Sequence, residues 1–150
     1  MLKRFYPDEY LESSYVIDYE ALYQQGYRGV IFDIDNTLVP HGAPADERAT
    51  ALFAHLKELG FQSCLLSNNQ IERVQMFNRD VQVHFIENAH KPSTKNYLAA
   101  MERSPVKDTE IKLLLYAALT DETENRAVFM HSIDASYRYE GYTRYKTDVV

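Results

Sequence analysis

From Val30 onward, short apolar runs alternate with segments of helical period, and few folds accept that alternation. Val30, Ile31 and Phe32 form a continuous apolar run that stops at Asp33, as expected of a strand buried on both faces. From Asp46 the pattern turns helical: Ala49, Leu52, Phe53, Leu56 and Leu59 share one face, and Gly60 ends it. Phe61 to Leu66 reads as a second buried strand. Ile71, Val74 and Phe77 mark another helix, and Val83, Phe85 and Ile86 a third strand. Pro92 with Ser93 or Thr94 opens a helix carrying Tyr97, Leu98 and Met101. Ile111 to Leu119 and Ala127 to Ile133 supply a fourth and a fifth strand. Strands and helices at this spacing imply βαβ units, hence an α/β fold with a parallel sheet covered by helices on both faces.

The remaining features narrow the class. A chain of 150 residues with 45% hydrophobic positions is expected to form one globular domain spanning 1–150. The formal charge of −6 gives no whole-protein footprint for nucleic acid. A lone cysteine, Cys64, cannot close an internal disulfide. The apolar runs are too short to span a membrane, and Lys3 and Arg4 lead into Pro7, Asp8 and Glu9 rather than into a signal-peptide core. A cytoplasmic protein is the expectation. Tyr6, Tyr10, Tyr15, Tyr19, Tyr23 and Tyr27 recur at spacings of four and five, which suggests packing along helical turns. Asp18 and Gly26 bound a short helix around Tyr19 to Gln25. Between Gly60 and Gly141 there is no glycine, so tight turns in that stretch must be made without one.

In such a sheet, ligands collect at the carboxyl ends of the strands. Asp33-Ile34-Asp35-Asn36-Thr37 follows the first strand, Ser67-Asn68-Asn69 the second and His90-Lys91-Pro92 the third. Together they make a phosphoryl-transfer kit. One carboxylate can attack phosphorus, and another two residues on can protonate the leaving oxygen and then activate water. A serine can donate to a phosphate oxygen, a lysine can offset charge, and Mg²⁺ prefers oxygen ligands of this kind. An EF-hand reading of the aspartates fails, because Leu38 stands where glycine belongs and Pro44 where the bidentate glutamate belongs. A glycosyltransferase D-x-D site has no supporting nucleotide-binding feature. Separately, Ser67-Asn68-Asn69 would pass for a helix cap and Lys91-Pro92 for a surface lysine before a helix; their shared strand-end placement favours a site.

IFDIDNTLV, LLSNN and AHKP, in that order, resemble the first three motifs of the haloacid dehalogenase (HAD) superfamily of phosphatases. MLKRFYPDEY, YRGVIFDIDNTLVP and the SNN triplet resemble the YqeG-type branch of its subfamily IIIA, over roughly residues 1–103. The resemblance implies a three-layer Rossmannoid fold and Asp33 as nucleophile, Asp35 as general acid/base and Lys91 as the third-motif lysine. It also implies that Thr37, Ser67 and Asn68 bind the phosphorylated substrate. Mg²⁺ would be held by Asp33, the backbone carbonyl of Asp35 and a fourth-motif acid. Relatives of this branch include phosphatidylglycerophosphate phosphatases, so the expected partner is a phosphorylated small molecule or a lipid headgroup, with peripheral membrane contact. Only Leu38 to Ala45 separate the first motif from the next helix, and Ser67 to Lys91 has room for one helix and one strand. Neither gap houses a cap, and an uncapped site admits large substrates.

The resemblance weakens after about Ser104. Leu119-Thr120-Asp121 and Asn125-Arg126 echo the fourth motif, but Leu115 and Tyr116 occupy its Gly-Asp positions and two later glycines are missing. Asp121 is the replacement metal ligand of choice, with Glu122 beside it. Two readings fit: a Mg²⁺-dependent phosphatase using Asp121, or a catalytically impaired relative acting as a binding module. A reading frame shifted after about Ser104 is a third account of the same departure. His41 lies just past the first motif, where it could reach substrate or simply face solvent; the other histidines show no ligand spacing.

Overall fold

The structure, a computed structural model, describes residues 9–11, 13–90, 99, 111–117 and 128–133. Its strands are β1 (Glu9–Leu11), β2 (Tyr27–Phe32), β3 (Gln62–Leu66), β4 (His84–Ile86), β5 (Ile111–Ala117) and β6 (Val128–Ile133). Its α-helices are α1 (Tyr19–Gln24), α2 (Glu47–Leu59) and α3 (Ile71–Val81), with a 3₁₀ turn at Ser14–Val16. One six-stranded sheet runs in the order β1-β6-β5-β2-β3-β4. The four strands β5, β2, β3 and β4 are parallel, giving an α/β, Rossmann-like fold. The connections described after β2 and β3 hold only turns and single helices, so no cap domain is inserted there.

The elements form where local chemistry directs. In α2 the Asp46 carboxylate accepts from the Ala49 N–H at 2.7 Å, capping donors that have no partner within the helix. Gly60 closes it in the left-handed region, φ +103, and a Cβ there would come 2.9 Å from the Tyr23 hydroxyl. Asp18 caps α1 in the same way, through the Ala21 N–H. On one face of the sheet Val30, Phe32 and Leu65 meet Leu52, Phe53 and Leu56 of α2 and Val74 and Phe77 of α3. Burial of each large side chain here stabilises by about 1.5–3 kcal/mol. Ile31, Cys64 and Leu66 alternate with that set and are equally buried, as a sheet interior on both faces requires.

Two readings of the sequence change. The sheet is not wholly parallel: β6 runs antiparallel to β5 and to β1. Only residues 118–127 join β5 to β6, and a parallel return needs a longer crossover. The early tyrosines do not share one helix, for Tyr10 lies in β1, Tyr15 in the 3₁₀ turn, Tyr19 and Tyr23 in α1 and Tyr27 in β2. The glycine-free stretch makes its left-handed turns with Gln82 (φ +55), Asn88 (φ +45) and His90 (φ +51). The helix expected from Pro92 lies outside the described residues apart from Ala99, which is helical. Among the described residues no helix is long and apolar enough to cross a membrane.

Candidate active site

The first turn grows directly out of β2. Phe32 is fully buried, and Asp33 follows at the carboxyl end of the strand. The Ile34 carbonyl then accepts from the Thr37 N–H (3.2 Å) and the Leu38 N–H (3.0 Å), closing a tight loop. Asn36 adopts φ +63, a conformation asparagine tolerates, and its N–H donates to the Val39 carbonyl at 2.7 Å. The segment upstream of α1 braces this loop. The buried Ser14 hydroxyl donates to the Thr37 carbonyl (2.9 Å) and the Tyr15 hydroxyl to the Leu38 carbonyl (2.6 Å). The Tyr19 hydroxyl in turn donates to the Ser14 carbonyl at 2.7 Å. Burial, with the Asp46 charge adding to it, pushes the Tyr15 hydroxyl up to about 12, so it remains a donor. Arg48 stacks over the Tyr15 ring at 3.9 Å.

The second turn follows β3. Buried Ser67 is pinned by backbone bonds to the end of β4: its N–H donates to the Ile86 carbonyl (3.0 Å) and its carbonyl accepts from the Ala89 N–H (2.8 Å). The Ser67 hydroxyl accepts from both the backbone N–H (3.1 Å) and the side-chain amide (2.9 Å) of Asn69. That same amide donates to Asp35 Oδ2 at 2.6 Å, tying the two turns together. Asp35 Oδ1 accepts from Arg73 Nη2 at 2.7 Å and from the Gly42 N–H at 2.9 Å. Burial raises the Asp35 carboxyl, but the Gly42, Arg73 and Asn69 donors and the Arg73 charge outweigh it and hold the group below the ordinary aspartate range. Asp35 therefore stands as a carboxylate.

Asp33, Asp35 and Thr37 thus share one turn, Ser67 is joined to Asp35 through Asn69, and Asn68 is exposed beside them. Asp33 Oδ1 accepts from the Ile34 N–H at 2.9 Å. His41 faces solvent. Lys91, Asp121 and Glu122 lie outside the described residues. In β5, Leu115 pairs with Phe32, so the next residues along the two strands are Tyr116 and Asp33. Residues 115 and 116 therefore stand beside the turn that carries Asp33. Sequence reading missed three partners of Asp35: Gly42, Asn69 and Arg73. Arg73 carried a signal, since a cation in the first turn of a helix opposes the helix dipole and calls for a reason.

A metal ion here would meet oxygen donors. Asp35 has its carboxylate committed to Gly42, Asn69 and Arg73, so its contribution would come from the backbone carbonyl, with Asp33 supplying a carboxylate. Among the described residues no cluster of three metal-binding side chains exists. Mg²⁺ suits such a sparse all-oxygen set, because it keeps several waters and binds through one or two carboxylates plus substrate phosphate. A cavity of about 540 Å³ opens at the opposite, amino end of β3 and β4, lined by Lys57, Gln62, Asp80 and His84 among others. It contains none of these groups.

Fold and site together define a Rossmann-like α/β protein with an acidic and amide-lined site at the carboxyl ends of its parallel strands. No family model matches the chain. It is 34% identical over 123 residues, 81% of this chain and 72% of the relative, to a Bacillus subtilis (strain 168) protein named Probable phosphatase YqeG. The chain belongs to the YqeG family.

Proposed function

We propose that this chain is a HAD-type phosphatase that hydrolyses a phosphomonoester through an aspartyl-phosphate on Asp33. The observation that carries the reading is the pair of carboxylates, Asp33 and Asp35, on one braced turn that Asn69 links to Ser67. Asp35, a carboxylate in the free protein, takes up a proton from solvent as substrate binds; an Asp33 carboxylate oxygen then attacks phosphorus, the bond to the leaving oxygen breaks, and Asp35 gives that oxygen its proton. Asp35, now a carboxylate, takes a proton from water as the water attacks the aspartyl-phosphate. Inorganic phosphate leaves and Asp33 is regenerated. Ser67 and Asn68 bind phosphate oxygens, Thr37 lies on the same turn, and Lys91 offsets charge. Bound Mg²⁺, held by Asp33, the Asp35 carbonyl and Asp121, would supply charge neutralisation between nucleophile and phosphate. The substrate class is a phosphorylated small molecule or a phosphatidylglycerophosphate-type lipid headgroup, met by a single cytoplasmic domain without a cap.

The placement of Tyr116 beside Asp33 favours one second reading, a catalytically impaired relative that binds a phosphorylated partner. One assay separates the two: phosphate release from an aryl phosphate and from a lipid phosphate, with and without Mg²⁺. Turnover that needs Mg²⁺ and falls about 10⁴-fold or more in Asp33→Asn supports the phosphatase. Equal background from both proteins on both substrates supports the binding module.

A further inference from the structure

Three polar atoms around the two turns are buried with no hydrogen-bond partner among the described residues: Thr37 Oγ1, Arg73 Nε and Arg73 Nη1. Thr37 is 5% exposed and the Arg73 side chain 14%. Leaving such groups dry and unpaired costs their full desolvation, so native folds rarely keep three together without use. The ion pair explains only part of Arg73. A guanidinium facing a carboxylate commonly forms two parallel bonds. Here Asp35 takes Nη2 alone and turns its second oxygen to Asn69. Nε–H and Nη1–H, the donors that flank Nη2 on its two sides, are left over. Arg73 also holds its charge in the first turn of α3, against the helix dipole.

We propose that Arg73 is a phosphoryl-binding residue of this site, parked on Asp35 through Nη2 until a phosphate dianion takes the guanidinium. The assignment rests on the phosphatase reading for its ligand class. Nη2 completes a two-donor fork with either Nε or Nη1 once it leaves Asp35, either fork matches two oxygens of a tetrahedral oxyanion, and a dianion brings more charge than the single Asp35 carboxylate it competes with. The buried Thr37 hydroxyl, on Asp35's own turn, is a further donor or acceptor for the same class of ligand. Binding would draw Arg73 away from Asp35.

The test is calorimetric binding of inorganic phosphate to the full chain, without Mg²⁺, for the native protein, Arg73→Lys, Arg73→Met and Arg79→Met. Arg79 is an exposed arginine in the last turn of the same helix and matches the charge change. The expected result is saturable binding by the native protein and by Arg79→Met within twofold of each other. Arg73→Lys should bind about tenfold more weakly and Arg73→Met up to about a hundredfold more weakly, the range of lost charge-assisted hydrogen bonds. Should Arg73→Met fail to fold by circular dichroism, Arg73→Lys decides alone, because it keeps the charge and the stem but loses the fork. Affinities within twofold across the Arg73 variants, or no saturable binding by the native protein at millimolar phosphate, overturn the assignment. Aryl phosphate hydrolysis by the native protein is measured beside it. Arg73-dependent binding without hydrolysis sinks the phosphatase and keeps the arginine, and hydrolysis with Arg73-independent binding does the reverse.

Discussion

The turn after β2 and the turn after β3 stand at the same end of the sheet, and their hydrogen bonds are of different kinds. Main-chain carbonyls receive the bonds that shape the first: Ile34 accepts within the loop, while Thr37 and Leu38 accept from the Ser14 and Tyr15 hydroxyls. None of those bonds uses a carboxylate. The second turn is pinned to β4 through its backbone and reaches the first through a chain of side chains, from Ser67 to Asn69 to Asp35 to Arg73. The first can therefore stay rigid while chemistry proceeds on it, whereas the second must exchange partners whenever Asp35 or Arg73 engages a ligand. Rigidity and exchange are divided between neighbouring loops, a workable way to hold the proposed nucleophile still while its proposed acid/base partner changes state.

Substitutions can break that division. The largest effect belongs to Asp35→Asn, which keeps the shape of the side chain but removes its proton chemistry. Turnover of an aryl phosphate should fall about 10²–10⁴-fold, while the urea midpoint shifts comparatively little; full activity would remove Asp35 from the mechanism. Next comes the brace. Ser14→Ala with Tyr15→Phe strips two carbonyls of their donors and should cost about 2–3 kcal/mol, read as a lower urea midpoint at unchanged slope. If the two turns are independent, phosphate affinity in the folded double variant matches the native value; a large loss would show that the brace serves both.

A smaller effect depends on pH. The Asp35 carboxyl is held below its ordinary value in the fold, so the stability it contributes is present above that value, about 3.9, and is lost as pH falls through the folded one. The stability gap between native protein and Arg73→Met should therefore be widest near neutrality and narrow below about pH 4, by urea titration at several pH values. The smallest effect falls at the end of α3. Gln82 holds φ +55 where glycine would be unstrained, so Gln82→Gly should stabilise by about 0.5–1 kcal/mol. Asn36→Gly, at φ +63 in the first turn, should change little, because asparagine already tolerates that conformation.

The sequence exposed what local periodicity and capping control. Val30 to Phe32 reads as buried because it is apolar without alternation, and Asp18, Asp46 and Gly60 mark helix ends by chemistry that acts within four residues. Asp33 and Asp35 were visible at a strand end for the same reason. Strand direction was not visible in β6, since a ten-residue connection, not composition, decides between antiparallel and parallel return. Strand β1 was obscured because three residues carry too little pattern, and the tyrosine spacing around it mimics a helix. Gly42 and Arg73 met Asp35 only through the fold, across 7 and 38 residues of chain. Lys91 and Asp121 lie outside the described residues, so their roles rest on the resemblance alone.

The Ser14 and Tyr15 bonds each close a span of only 23 residues. Closing so short a loop costs little chain entropy, whereas joining Val30 to Leu113 in the sheet must wait for most of the chain. The Asp33–Asp35 turn can thus assume its shape early in folding, ahead of the strand that flanks it. A chain stalled before β5 would already carry a formed first motif, and refolding kinetics followed at Tyr15 should run ahead of those followed in the β2–β5 pair.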